Sequence, residues 1–264
     1  MAGRPLIFFS DLDGTLLDHE TYSHQPARGA IDALRAHHIG LILASSKTAA
    51  EIEPLRREIG FEHCEAIVEN GAGLLLSGER ETQSNTNYLK LIEALAEMPK
   101  RYSYHFTGFH QWDAQEVSHR TGLSVEAATR AKERQFSEPG LWSGTDDELE
   151  AFRSLLQERG IVAQKGGRFL TLSFGGTKVD RMQEIIQKQL SDSDNPFCVA
   201  LGDAPNDIAM LEAADLGIII PNASHNGIHQ LAGEATGEII RARFSGPKGW
   251  NDAVLNVLKK STIL

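Results

Sequence analysis

Short unbroken apolar runs alternate with amphipathic stretches through the N-terminal part of the chain. Leu6–Ser10 (LIFFS) is four apolar residues and a serine, a run that predicts a strand buried on both faces. Ala30, Ile31, Leu34 and His38 then recur at helical spacing. Residues 39–44 (IGLILA) predict a second buried strand, and Thr48 with Glu51 has the capping-box spacing that opens a helix. Ile52, Leu55 and Ile59 continue that helix and Gly60 stops it, while Pro54 inside it predicts a kink or an early end. Residues 65–68 (EAIV) predict a third strand, ending at Glu69-Asn70-Gly71. The C-terminal part has the same rhythm. Val179, Met182, Ile185, Ile186 and Leu190 suit a helix, residues 197–201 (FCVAL) a strand ending at Gly202-Asp203, Ile208, Leu211 and Glu212 a helix, and residues 216–220 (LGIII) a further strand.

Between these parts the rhythm breaks. Residues 84–169 are polar, aromatic and mixed. Ser124 and Thr145 read as helix N-caps, with Glu148 completing a capping box. Leu149, Phe152, Leu155 and Leu156 form an apolar stripe that Gly160 ends. The predicted fold class is α/β: a Rossmann-like parallel-sheet core made of residues 1–83 and 170–264, with an α/β module, residues 84–169, inserted. Internal repeats and low-complexity segments are absent from the sequence.

Composition narrows the classes. With 264 residues and 41% apolar content, one large or two modest domains can bury a core. No window reaches the roughly 18–20 apolar residues of a membrane span. The N-terminal apolar run is too short for a signal peptide, so a soluble cytoplasmic protein is expected. Two cysteines, Cys64 and Cys198, do not make a disulfide framework and read as inert core thiols. The formal charge of −10 argues against a nucleic-acid footprint. It leaves room for a small anionic ligand, because a metal or a few cations reverse the field in one pocket.

The chemistry-bearing residues follow strands. Asp11 and Asp13 come after the first, Ser45 and Lys47 after the second, Glu69 and Asn70 after the third, and Asp203, Asn206 and Asp207 after a later one. Parallel sheets bind ligands beyond the carboxyl ends of their strands, so these groups are expected to meet at one edge. Three carboxylates there need a cation, and Mg²⁺ takes oxygen ligands. A carboxylate beside it can attack phosphorus, a second can exchange a proton with the leaving oxygen, and Gly14 lets the chain turn sharply, a turn that the Thr15 hydroxyl is expected to support.

"DLDGTLLD", "LASSKT", "GGTK" and "LGDAPND", in that order, resemble the four motifs of the haloacid dehalogenase-like phosphatases, in the branch with a large α/β cap. Within it, "SSKT", "VENGAG", "RQFSEP", "GGRF" and "GPKGWN" resemble the mannosyl-3-phosphoglycerate phosphatases. The resemblance implies Asp11 as nucleophile and Mg²⁺ ligand, and Asp13 as general acid/base offering its carbonyl to the metal. It implies Ser45 on the phosphoryl oxygens, Lys178 pairing nucleophile and phosphate, and Asp203 on the metal with Asn206 and Asp207 in or behind its shell. Thr177 departs from the family pattern, which has an acidic residue before the lysine, and Phe174 departs in a segment that is often small or polar. The implied partner is a small phosphorylated sugar-acid substrate. A broader sugar-phosphate phosphatase, a phosphomutase, or an inactive binding module on the same fold are the alternatives; an inactive relative would be expected to lack Asp11 or Asp13, and both are present.

Lys47, Glu69, Asn70, Arg134, Ser137 and Arg168 are the expected substrate contacts, with Glu138 beside them. Each has a plain structural alternative: a surface cation for Lys47, strand-end residues for Glu69 and Asn70. Arg130 and Arg134, four apart, read as one helix face that is either solvated or a cation pair clamping a carboxylate. Arg168 follows Gly166-Gly167, where backbone can approach a ligand. Trp142, Tyr102 and Tyr104 are expected in the cap core, and His37, His38, His105 and His110 at or near the surface. Oligomeric state is not legible.

Overall fold

The structure is a computed structural model that describes residues 4–79, 85–166, 168–190, 195–222, 227–261 and 263. Strands β1 (Leu6–Ser10), β2 (Gly40–Ala44), β3 (Ala66–Val68) and β4 (Gly73–Leu75) precede the insertion. Within it lie β5 (Phe106–Gly108), β6 (Ser137–Trp142), β7 (Val162–Gly166) and β8 (Phe169–Ser173), and β9 (Phe197–Gly202), β10 (Leu216–Ile219) and β11 (Ile239–Arg241) follow it. The core sheet has the order β11-β10-β9-β1-β2-β3-β4. All its pairs are parallel except β3 with β4. β1 suits its central place because every one of its residues is buried. Burial of Phe8 and Phe9, both fully enclosed, contributes roughly 1.5–3 kcal/mol each.

The second sheet, β5-β6-β8-β7, is antiparallel throughout. Leu91, Leu95, Phe106, Phe152, Leu156, Leu170 and Leu172 form its main core. Phe109, Trp112, Val117, Ala128 and Ala131 make a second cluster with Leu141 and Phe169. The helices open where the sequence marks them. Thr48 and Thr145 both form full capping boxes, and the Ser124 hydroxyl accepts from the Ala127 N–H.

Several expectations change. The inserted sheet runs on to Ser173, not 169, because Leu170 and Leu172 of β8 complete its core. The boundary placed at 83–84 lies outside the described residues. The helix Ala49–Glu58 continues through Pro54, which removes a single backbone donor from a helix whose first turn is already capped. Tyr104 is 73% exposed, whereas Tyr102 and Trp142 pack against the inserted core. Cys64 and Cys198 are buried and unpaired, and burial raises both thiols, Cys198 to about 11. No helix among the described residues is long and apolar enough to cross a membrane.

Candidate active site

β1 and β9 are parallel neighbours, so their carboxyl ends open at the same place. Asp11 leaves β1 with its N–H on Leu201 O (2.9 Å). Asp203 and Asp207 follow β9, Asp203 before the short turn Pro205–Asp207 and Asp207 at its end. Asp11, Asp203 and Asp207 are all buried, and one carboxylate oxygen from each lies within 4.8 Å of the others. Lys178, first residue of the helix Lys178–Leu190, reaches between them, donating to Asp11 Oδ1 (2.6 Å) and Asp207 Oδ1 (2.7 Å). Burial pushes the Asp11 carboxyl well above its ordinary range, and Asp207 and Asp203 add to this against the opposing pull of Lys178. Burial alone would lower the Lys178 ammonium, but Asp11 and Asp207 outweigh it and the net direction is upward.

The other carboxylates of the cluster are oriented by neighbours. Asp203 accepts from the Thr15 hydroxyl (2.9 Å) and the Asn222 amide (2.7 Å). Asp207 Oδ2 accepts from the Asp203 and Ala204 N–H groups, so that both its oxygens are engaged. Thr15, whose hydroxyl is expected to support its own turn, therefore reaches across to the next strand's aspartate. Asn222 escaped the sequence reading although it stands just past β10, where the rule that found Asp203 applies. Gly14, at φ +83°, passes so close that a Cβ there would sit 2.8 Å from Asp203 Oδ2.

Asp13 sits at the mouth, its Oδ2 paired with Lys47 Nζ (2.8 Å). Its Oδ1 is buried without a protein partner among the described residues. Burial pulls the Lys47 ammonium down, yet Asp13 and Glu51 raise it overall. Ser45 is buried at the end of β2, and its carbonyl accepts from the Asn70 N–H. Asn206 is exposed and its amide meets Asn70 Oδ1 at 3.5 Å. Thr177, where an acidic residue was expected, pairs with Asp180 to open the lysine's helix, each side chain accepting from the other's N–H. Gly71, at φ +91°, lets that helix approach: a Cβ would lie 2.1 Å from the Thr177 carbonyl carbon.

A tie from the far end of the chain reaches the same strand. Trp250, fully buried in the motif GPKGWN, donates Nε1–H to Ser10 Oγ (2.9 Å), and Ser10 donates to the Asp11 carbonyl (2.7 Å).

Three of the expected substrate contacts lie together where the two domains meet. Glu69, Arg134 and Ser137 grip one another. The Glu69 carboxylate accepts from the N–H groups of Gln135 (2.8 Å), Phe136 (3.2 Å) and Ser137 (2.7 Å) and from the Ser137 hydroxyl (2.7 Å). Arg134 Nε stands 3.3 Å from Glu69 Oε2, and its Nη1 donates to Ser46 O. These groups clasp the inserted domain to the core. Arg130 and Arg134 do not share a helix face, because the helix Val125–Ala131 ends between them. Arg130 is half-buried and paired with Glu126, whereas Arg134 is buried. Arg168 is exposed and donates to the carbonyls of Arg120 and Thr121, within the inserted domain. Glu138 is enclosed, held by the Tyr88 hydroxyl and the His110 N–H (2.8 Å each).

The sequence pattern of the haloacid dehalogenase-like hydrolases matches residues 8–236. The fold is similar to that of a haloalkanoate-superfamily phosphatase from Bacteroides thetaiotaomicron, at 17% identity over 99% of this chain and 96% of that one, TM-score 0.64. TM0651 from Thermotoga maritima is similar at 16% identity over 97% of both chains, TM-score 0.64. The sucrose-phosphatase of Synechocystis sp. PCC6803, solved with sucrose and phosphate, is similar at 16% identity over 98% of both, TM-score 0.60. With buried aspartates and a bridging lysine at the carboxyl edge of its parallel sheet, the chain belongs to the haloacid dehalogenase-like hydrolase family.

Proposed function

We propose that this protein is a Mg²⁺-dependent phosphomonoesterase acting through a phosphorylated Asp11, with mannosyl-3-phosphoglycerate as its substrate. The observation that carries the chemistry is the Asp11–Asp203–Asp207 cluster with Lys178 at its centre. Its all-oxygen donor set fits a hard divalent cation, and three buried carboxylates exceed the one ammonium that faces them. Asp11 and Asp203, with the Asp13 carbonyl, would hold the ion, and Asp207 would steady Asp203 and Lys178 from behind. When bound, Mg²⁺ supplies charge neutralisation at the phosphoryl oxygens.

The residues then divide the work. Lys178 holds Asp11 Oδ1 and keeps the carboxylate oriented for attack on phosphorus. As the Asp11–phosphorus bond forms and the ester bond breaks, the leaving oxygen takes a proton from Asp13. Asp13 then removes a proton from the water that attacks the same phosphorus, releasing phosphate and restoring Asp11. Ser45 offers its hydroxyl to a phosphoryl oxygen, and Lys47 holds Asp13 at the mouth. The inserted domain, clasped over this edge, excludes bulk water. The substrate reading is supported by the subfamily motifs and by the likeness to a sucrose-phosphatase.

The test is phosphate release from a panel of phosphorylated metabolites with and without Mg²⁺, including mannosyl- and glucosyl-3-phosphoglycerate. Wild type should require Mg²⁺ and prefer the mannosyl compound, and Asp11→Asn and Asp13→Asn should lose turnover. Near-wild-type turnover in Asp11→Asn would overturn the nucleophile. Activity on other sugar phosphates but neither glycosyl compound would overturn the substrate and spare the chemistry.

A further inference from the structure

The loop from Asp18 to Ser23 is a stiff tip beside the site mouth. Asp18 Oδ1 accepts from the Thr21 hydroxyl (2.7 Å), the Thr21 N–H (2.9 Å) and the Glu20 N–H (3.3 Å). Two backbone bonds, Asp18 N–H to Ser23 O (3.0 Å) and Tyr22 N–H to Asp18 O (2.9 Å), close the loop. At its tip Tyr22 carries φ +54° and is 50% exposed. A bulky aromatic residue is disfavoured in the left-handed region, and strain of this kind collects at functional sites. A half-exposed ring adds a second cost at the same residue. The ring stands over Lys47, whose Nζ is 5.1 Å from its centroid. That same Nζ is 2.8 Å from Asp13 Oδ2.

This places a half-exposed aromatic ring one side chain away from the group that protonates the leaving oxygen. A leaving group whose oxygen sits at Asp13 must extend outward from there. Sugar rings present a face of C–H groups that packs on an aromatic ring while their hydroxyls stay in water. Lys47, between ring and aspartate, matches an anionic group such as a glycerate carboxylate. We propose that Tyr22 is the platform on which the sugar ring of the leaving group stacks, and so the residue that selects sugar-bearing over sugarless phosphomonoesters. The proposal rests on the phosphatase reading above and names what that site recognises.

The test compares kcat/KM on mannosyl-3-phosphoglycerate and on 3-phosphoglycerate for wild type, Tyr22→Gly and Tyr22→Phe. Glycine adopts φ +54° without strain, so Tyr22→Gly removes the ring and keeps the loop. Tyr22→Phe keeps the ring and drops the hydroxyl. The ratio of the two kcat/KM values should fall about tenfold in Tyr22→Gly, through KM, with a thermal midpoint close to wild type, and recover in Tyr22→Phe. An unchanged ratio, or an equal fall in Tyr22→Phe, overturns the platform. Should wild type hydrolyse other sugar phosphates but not the mannosyl compound, the mannosyl reading fails, and the ratio of glucose 6-phosphate to glycerol 3-phosphate then tests Tyr22 by the same two outcomes. Hydrolysis of no phosphomonoester at all overturns both.

Discussion

Glu69→Ala would undo the clasp between the two domains. Glu69 is 2% exposed, and its carboxylate takes three backbone N–H groups and a hydroxyl at 2.7–3.2 Å with the Arg134 guanidinium beside it. Truncation strands all of these donors and leaves a buried guanidinium with no counter-charge. Removing one partner of a buried ion pair costs about 3–5 kcal/mol. The groups released belong to residues 134–137, so the loss should appear as local opening of that segment before any unfolding of the core sheet. At 1.4 kcal/mol per tenfold, the Gln135, Phe136 and Ser137 amides should exchange with solvent roughly a hundredfold to several thousand-fold faster. Native-state hydrogen exchange read residue by residue is the assay. Glu69→Gln should fall between, since its amide retains one acceptor oxygen but no charge. Arg134→Met should cost less, about 1–3 kcal/mol, because Glu69 keeps its three backbone donors. Unaltered exchange at these three amides in Glu69→Ala would refute the clasp.

Mg²⁺ should stabilise the wild type by about 2.7 kcal/mol at a hundred times its dissociation constant. Asp11→Asn should raise the metal-free thermal midpoint and shrink that response; no midpoint shift with Mg²⁺ in the wild type would count against the cluster as a cation site. Cys198 provides a pH signature. Its folded thiol, near 11, lies above the ordinary 9.0, so its contribution is complete below pH 9 and is lost as pH rises through 11, about 3 kcal/mol in all. Chemical denaturation of wild type and Cys198→Ala between pH 8.5 and 11.5 should show a shallower decline in the variant. Gly71→Ala should destabilise by roughly 2–5 kcal/mol, combining a left-handed backbone with a methyl pressed on Thr177. Turnover should fall with it because Lys178 is the next residue, and wild-type stability in this variant would contradict the close approach.

What could be read from the sequence was mostly local. LIFFS is a buried strand by composition alone, and Thr48 with Glu51 or Thr145 with Glu148 cap helices through side chains three residues apart. Asp11, Asp203 and Asp207 could be brought together in advance because parallel strands deliver their ends to one edge. The partner of a buried charge is a different matter. Arg134 lies in ATRAKERQF, where no glycine or proline marks the end of the helix at Ala131. Its burial is decided by Glu69, just past β3 of the other domain. Thr15 fails to declare itself for the same reason, since its hydroxyl serves an aspartate that follows β9. Tyr22 carries no warning either, because a left-handed tyrosine is visible only once the backbone is built.

The central place of β1 has a consequence for synthesis. Phe8 pairs with Leu41 on one side and with Val199 on the other. At about 5–20 residues per second, β9 leaves the ribosome roughly ten to forty seconds after β1. During that interval the strand carrying Asp11 keeps one open edge, which is a template for wrong pairing. The inserted sheet, pairing only within itself, can finish first. Only later still does Trp250 arrive to tie down Ser10. A nascent chain thus carries Asp11 and Asp13 long before Asp203, Asp207 and Trp250 are there to complete their surroundings.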